Sequence, residues 1–297
     1  MTGYKNWLCL IIASIVLFAV SCSSAPKRPT EVRAVRNSGA GQLDLAAATA
    51  NQGLFDDALF IVETVLRSAI RVDYPPLLIK CAIIRGNILF SMGRYDDAVE
   101  SWNHGIRVAE RDGEASLASE ARIFAARGRL LKLGAESSGD KNRELEEIKT
   151  LLTREIASLK NDPLIEAAGW AVLGIAEKEL RRYAEAESAV RKALAVHEKN
   201  FYLEDAAYDW YIIASIYSVS GRHDEAVEAL KMAIEFDRRA ENGYGLASSW
   251  SSLGEVYLLS GNSADANTSF RRSADIYRSL GMEEDALGIE AKLSGGK

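Results

Sequence analysis

Three tryptophans on one ruler constrain this chain more than any other feature. "WAVLGIAEKELRR" begins at Trp170, "WYIIASIYSVSGR" at Trp210 and "WSSLGEVYLLSGN" at Trp250, each 40 residues after the one before. A catalytic residue is usually unique in a chain. A feature that returns at a fixed period marks a structural unit instead. A second marker keeps the same period: "RRYAEA" from 181, "GRHDEA" from 221 and "GNSADA" from 261, with earlier copies "GLFDDA" from 53 and "GRYDDA" from 93. The gap from 93 to 181 is two periods of 40 plus eight residues, so a further unit is expected over 119–166. Its helices would be "SEARIFAARGRLLKL" and "RELEEIKTLLTREIASL". The turn between them is lengthened by "GAESSGDKN", which has the composition of a loop.

Each unit reads as two helices. In the last, Trp250, Leu253, Gly254 and Tyr257 share one helical face. "SGNS" then breaks the helix, with Gly261 suited to a positive φ. The second helix sets Ala266, Phe270 and Ser273 on one face. The prolines respect this plan: Pro26 and Pro29 lie near the N-terminus, Pro75, Pro76 and Pro163 between units. Asp162 before Pro163 has the form of an N-cap followed by proline at the first helical position. Trp and Leu are expected to fill the space between paired helices, while Gly174, Ala214 and Gly254 let the second helix approach closely. Ala186, Ala226 and Ala266 do the same from the other side.

Together, "W-x-x-L-G-x-x-Y" and the following "G-x-Y-x-x-A…F…A" resemble the tetratricopeptide repeat, over about residues 39 to 281. The pattern is strongest in the last three units and the second. Unit one has Gln42 and Thr49 where aromatics are expected, unit two has Arg85 at the usual Leu position, and unit three has Arg122 at the Trp position. The resemblance implies an all-α, right-handed superhelical solenoid of about six helix-turn-helix repeats. Expected units lie near 39–78, 79–118, 119–166, 167–206, 207–246 and 247–281, and "MEEDALGIEAKLSGGK" supplies a capping helix over 282–297. The resemblance also implies that the first helices line a concave groove for a protein or peptide partner. The groove positions it assigns are Ile83, Asn87 and Phe90 in unit two, and Ile123 and Arg127 in unit three. Ala171, Ile175 and Lys178 follow in unit four, Tyr208, Tyr211 and Ser215 in unit five, and Ser251, Glu255 and Leu258 in unit six. Phe90, Tyr208 and Tyr211 stand out, because aromatics in a concavity suit partner binding. The Lys and Asn pair with which some members clamp a terminal carboxylate is absent, since unit two offers Ile83 and Asn87.

The N-terminus stands apart. Lys5 precedes "WLCLIIASIVLFAV", residues 7–20, which is apolar apart from Ser14. As a helix this stretch reaches roughly 21 Å, short of the roughly 30 Å hydrocarbon core, so it has the length of a signal-peptide core. "AVSC", Ala19 to Cys22, resembles the lipobox of bacterial lipoproteins, with Ala19 where Leu is commonest. On that resemblance residues 1–21 are a signal peptide and Cys22 is lipidated. Residues 22–38 then form a flexible tether, and Ser23 favours the outer membrane, facing the periplasm. Of three cysteines only Cys81 remains, in a helical stretch, where it is expected to pack as a small hydrophobe.

Little points to chemistry. The three histidines, His104, His197 and His223, lie in different units without a second ligand at metal spacing. No phosphate loop occurs, and Asp56-Asp57 and Asp96-Asp97 recur at one repeat position, suiting the N-terminal ends of second helices. A formal charge of −6 with no basic run disfavours nucleic acid. No cofactor, metal or enzyme activity is expected. The reading is a lipid-anchored scaffold that binds a protein partner. The alternative is a ligand-binding accessory lipoprotein of a transporter or envelope-assembly machine, which would require an enclosed apolar pocket.

Overall fold

Thirteen α-helices follow one another in a computed structural model, which describes residues 34–135, 140–159 and 162–294. The signal peptide, Cys22 and the tether up to residue 33 lie outside the described residues. Among the described residues no helix is long and apolar enough to cross a membrane. The helices are α1 (Ala34–Asn51), α2 (Phe55–Arg71), α3 (Pro75–Ser91), α4 (Tyr95–Asp112), α5 (Ala115–Ala135), α6 (Lys141–Ser158) and α7 (Pro163–Glu179). After them come α8 (Tyr183–Lys199), α9 (Leu203–Val219), α10 (His223–Arg239), α11 (Gly243–Leu259), α12 (Ser263–Ser279) and α13 (Glu283–Ser294). They form six antiparallel pairs and a cap, an all-α solenoid within the unit Val35–Lys297. No strand occurs among the described residues.

Local chemistry sets the boundaries. Asp162 accepts a hydrogen bond from the Ile165 amide at 3.4 Å, and Pro163 opens α7. Asn242 and Asn262 cap α11 and α12 in the same way. Asp56, Asp57, Asp96 and Asp97 fall in the first turns of α2 and α4. Gly261 has φ +80°, and Gly53, Gly93 and Gly221 take the same conformation at the equivalent turns. Unit four has Arg181 there, at φ +60°, and so bears the steric cost that glycine avoids. Helix α1 starts at Ala34, inside the segment assigned to the tether. Its face of Gly39, Leu43, Ala46 and Ala50 is buried, and Gly39 meets the Leu77 side chain, so packing extends the helix upstream.

Close approach explains the small residues. A Cβ at Gly254 would stand 2.6–2.9 Å from the ring of Phe270, which is fully buried. Gly174 yields its space to Val190, and Gly86 to Trp102. The three repeating tryptophans are only half-buried. Their rings sit at the helix seams, and their outer faces carry cations: Lys192 lies 3.8 Å from the Trp170 centroid and Arg272 4.6 Å from that of Trp250. Cys81 is buried and free, and burial pushes its thiol up to about 12, so it is inert at neutral pH. The cap closes the core with Ala286 and Ile289 against Phe270, Ala274 and Tyr277.

Successive helices are also joined by buried polar rungs. The Asp209 carboxylate of α9 lies 2.6 Å from Nδ1 of His197 on α8. Forty residues on, Asp237 of α10 accepts from Ser249 of α11 at 3.0 Å and from Asn242 at 2.8 Å. Between α5 and α6, Glu155 accepts from Ser119 at 2.7 Å. Burial pushes the Asp209 carboxyl up to about 6, against the bond and charge of His197. Burial likewise pushes Asp237 up to about 7, against its bonds to Ser249 and Asn242.

Candidate functional site: the inner face

The first helices of the pairs converge on one side of the solenoid. Arg127 on α5 reaches toward Tyr208 on α9, passing over the intervening pair, with its guanidinium 5.9 Å from the ring. The same guanidinium lies 4.3 Å from Phe90 of α3 and 5.1 Å from Phe124 of α5. Behind these rings Trp102 stacks on Phe124, 6.1 Å between centroids and 20° between planes. Arg127 thus stands in an aromatic cage drawn from three units. Tyr208 stacks nearly parallel to Tyr211 at 6.4 Å, and Ser252 on α11 donates to the Tyr211 hydroxyl at 3.3 Å. The result is a strip of aromatic rings and one cation running across α3, α5, α9 and α11.

Two buried polar atoms on this strip have no hydrogen-bond partner: Asn87 Oδ1 and Arg127 Nε. Such atoms are expensive to leave unpaired unless something else pairs them. Acidic groups border the strip at the start of α9. Glu204 and Asp205 are open to water yet ringed by protein. Burial raises both carboxyls. The Asp205 charge raises Glu204 further, and the charges of His197 and Arg127 act against the rise at Asp205. Burial also raises the Tyr208 phenol, in opposition to the Arg127 charge.

The spacing-based positions separate into four groups. Asn87, Phe90, Arg127, Tyr208 and Tyr211 come together in the strip. Lys178 and Ser215 meet beside it, Nζ donating to Oγ at 3.1 Å, and half-buried Ile175 packs into the adjoining core. Ile83, Ile123, Ala171 and Ser251 are instead buried, the first three at 1%, 0% and 4% exposure. They offer no surface to a partner, because the residue after each repeat tryptophan, or after its equivalent in units two and three, turns into the seam between neighbouring units. Tyr211, at the same position in unit five, is half-buried instead, and Ser252 of the next pair reaches its hydroxyl. Glu255 is exposed but held by Lys292 of the cap at 2.5 Å, and Leu258 is 43% exposed. Phe124, Glu204 and Asp205 belong to the inner face without having been signalled by the repeat spacing. The one cue to Phe124 was its place between Ile123 and Arg127.

The described cavities lie away from this strip. The first, about 650 Å³, opens between α4, α5 and α6 and is lined by Glu110, Arg122, Arg154 and Glu155 among others. It is open and charged, with Arg122 paired to both Glu110 and Glu155.

Comparison with known proteins agrees with this architecture. The tetratricopeptide repeat model matches residues 204–279. No curated protein matches the chain. Among solved structures, a Rap protein complexed with competence and sporulation factor is similar at 17% identity and a TM-score of 0.57, over 86% of this chain and 73% of that one. The apo form of RapI is similar at 13% identity and 0.55, over 97% and 96%. A structure of the APC/C hetero-tetramer Cut9–Hcn1 is similar at 16% and 0.54, over 84% and 42%. At these identities the likeness is one of fold. The chain is an all-α helical-repeat solenoid with a tetratricopeptide-like fold.

Proposed function

We propose that this chain is a lipid-anchored scaffold of the bacterial cell envelope that binds a polypeptide partner on its inner face. The observation that carries the reading is the strip of Phe90, Phe124, Tyr208 and Tyr211 around Arg127. Aromatic and arginine side chains are the residue types that dominate binding energy at interfaces. The unpartnered Asn87 Oδ1 and Arg127 Nε would gain partners from a peptide backbone or polar side chain. The Rap protein named above was solved with competence and sporulation factor, which supports a solenoid of this fold that receives another molecule.

Replacing Tyr208 and Tyr211 together with alanine will lower capture of the partner by crosslinking in native envelopes. The helical circular dichroism signal will be retained, because neither ring belongs to the fully buried core. Unchanged capture would remove the inner face as the binding site.

The anchor rests on the lipobox-like "AVSC" and the apolar stretch before it. Cys22→Ser will shift the protein from the membrane fraction to the soluble periplasmic fraction, read by immunoblot after fractionation. Retention in the membrane would overturn the anchor. A role as a ligand-binding accessory needs an enclosed apolar pocket, and the described cavities are wide open to solvent.

A further inference from the structure

The first unit of this solenoid touches the last two units and the cap. The contact is built from the turn between α1 and α2. Asn51 Nδ2 donates to Glu204 Oε1 at 2.9 Å, across 153 residues of sequence. Gln52 Nε2 donates to the Glu241 carbonyl at 2.5 Å, across 189. The apex, Gly53 at φ +76°, lies against Leu280 and Met282, each 3.3 Å from where its Cβ would stand. Phe55 meets Tyr244 edge-on at 5.5 Å, and the Tyr244 hydroxyl donates to the Ser91 carbonyl at the end of α3 at 3.0 Å. Gly243 also faces Leu280 and the Asn51 carbonyl.

We propose that this contact is an autoinhibitory clasp, which closes the inner face and must open before a polypeptide can enter. The proposal rests on the inner face being the binding site. Three observations support a clasp over a permanent seam. First, its polar contacts are made by side chains such as Gln52 and Glu204 that remain open to water, whereas the seams between neighbouring units bury whole apolar faces. Second, its members come from turns and helix ends, the segments that can separate without breaking a helix. Third, the walls behind it already touch. Arg127 of α5 reaches Tyr208 of α9, so a partner could not lie between them without the walls moving apart. A partner that binds only the open form would hold it open, and its apparent affinity would fall by the fraction of molecules that are closed.

The test needs no partner. In the full chain, p-benzoylphenylalanine in place of Phe55 is illuminated, and tryptic peptides are read by mass spectrometry. The clasp predicts an intramolecular link between the peptide holding position 55 and the one holding Tyr244. In parallel, Ser215→Cys places a thiol on the inner face, and its modification by a polyethylene-glycol maleimide is timed over and above that of the chain without this change, Cys81 being buried. Asn51→Ala with Gln52→Ala and Tyr244→Phe is expected to reduce the photolink severalfold and to speed labelling roughly tenfold. Gln52→Ala alone, at an exposed side chain, is expected to act in the same direction with no effect on folding. Absence of the intramolecular link in the parent would overturn the clasp. Equal labelling rates in parent and released variants, with the helical spectrum intact, would do so too. Failure of the partner-binding reading would appear differently, as capture indifferent to Tyr208 and Tyr211 in the released variant.

Discussion

Truncating Trp102 to alanine will destabilise the fold by about 3–5 kcal/mol and will also disturb the inner face. The ring is fully buried and occupies the space left by two missing Cβ atoms, those of Gly86 and Gly128. Its indole nitrogen donates to the Ile83 carbonyl at 3.2 Å. Glycine backbones cannot supply atoms to fill the hole, so the cavity will persist instead of closing around alanine. Phe90 and Phe124 rest on the same ring, at centroid distances of 5.8 and 6.1 Å, and Arg127 is held between them. The loss will show as a lower urea midpoint by circular dichroism. The same change at Trp170, which is half-buried and faces Lys192, will cost less. Equal losses at the two sites would show that Trp102 has no special role in joining core and groove.

Asp237→Asn will stabilise the protein at alkaline pH and leave it nearly unchanged in acid. Burial raises this carboxyl from an ordinary 3.8 to about 7 in the folded state. Between those values the folded chain holds a proton that the unfolded chain has released. Stability therefore falls as pH rises from about 4 to about 7 and stays reduced above that. Below about 4 both states are protonated and the group is neutral in the balance. A shift of about three pKa units corresponds to roughly 4 kcal/mol, an upper figure that relaxation of the site will reduce. The amide can still accept from Asn242 and can donate to the Ser249 hydroxyl, so the rung is kept without the charge. Thermal melts at pH 4 and pH 8 decide the matter: the variant should gain roughly 2–4 kcal/mol over the parent only at the higher pH. A gain that is the same at both values would refute the assignment. Asp209, raised to about 6, acts with the same sign. So does His197: burial alone would lower it, but the bond and charge of Asp209 raise it, and that contribution is lost as pH rises through the folded value.

The period made most of the fold legible before any coordinates. Residues that specify a unit from within repeat with it, so Gly254 against Phe270, the glycine at 261 and the cap at Asp162 could be read directly. The inner face was only partly legible, for a geometric reason. Helix periodicity says which residues share a face, but not how sharply successive pairs turn. That turn decides whether the position after each repeat tryptophan, or its equivalent, looks into the groove or into a seam. Here it looks into the seam, which removes Ile83, Ile123, Ala171 and Ser251 from the surface offered to a partner. The same turn brings Arg127 to Tyr208 and Asn51 to Glu204, pairs that no local pattern joins. The polar rungs hid for another reason. His197 and Asp209 occupy the positions that Asp237 and Ser249 occupy a period later, so the chemistry changes while the location is kept.

The contact between Gln52 and Glu241 also bears on how many units such a chain can contain. An open solenoid can gain or lose a unit with little harm, because each unit answers only to its neighbours. Once the first turn meets the last units, the count is fixed by the need for the ends to coincide. Deleting one pair would leave the two ends a full unit out of step, and inserting one would carry them past each other. The eight extra residues of the third pair escape this rule, since they lengthen that pair, half of them within α5, without adding another step to the ring.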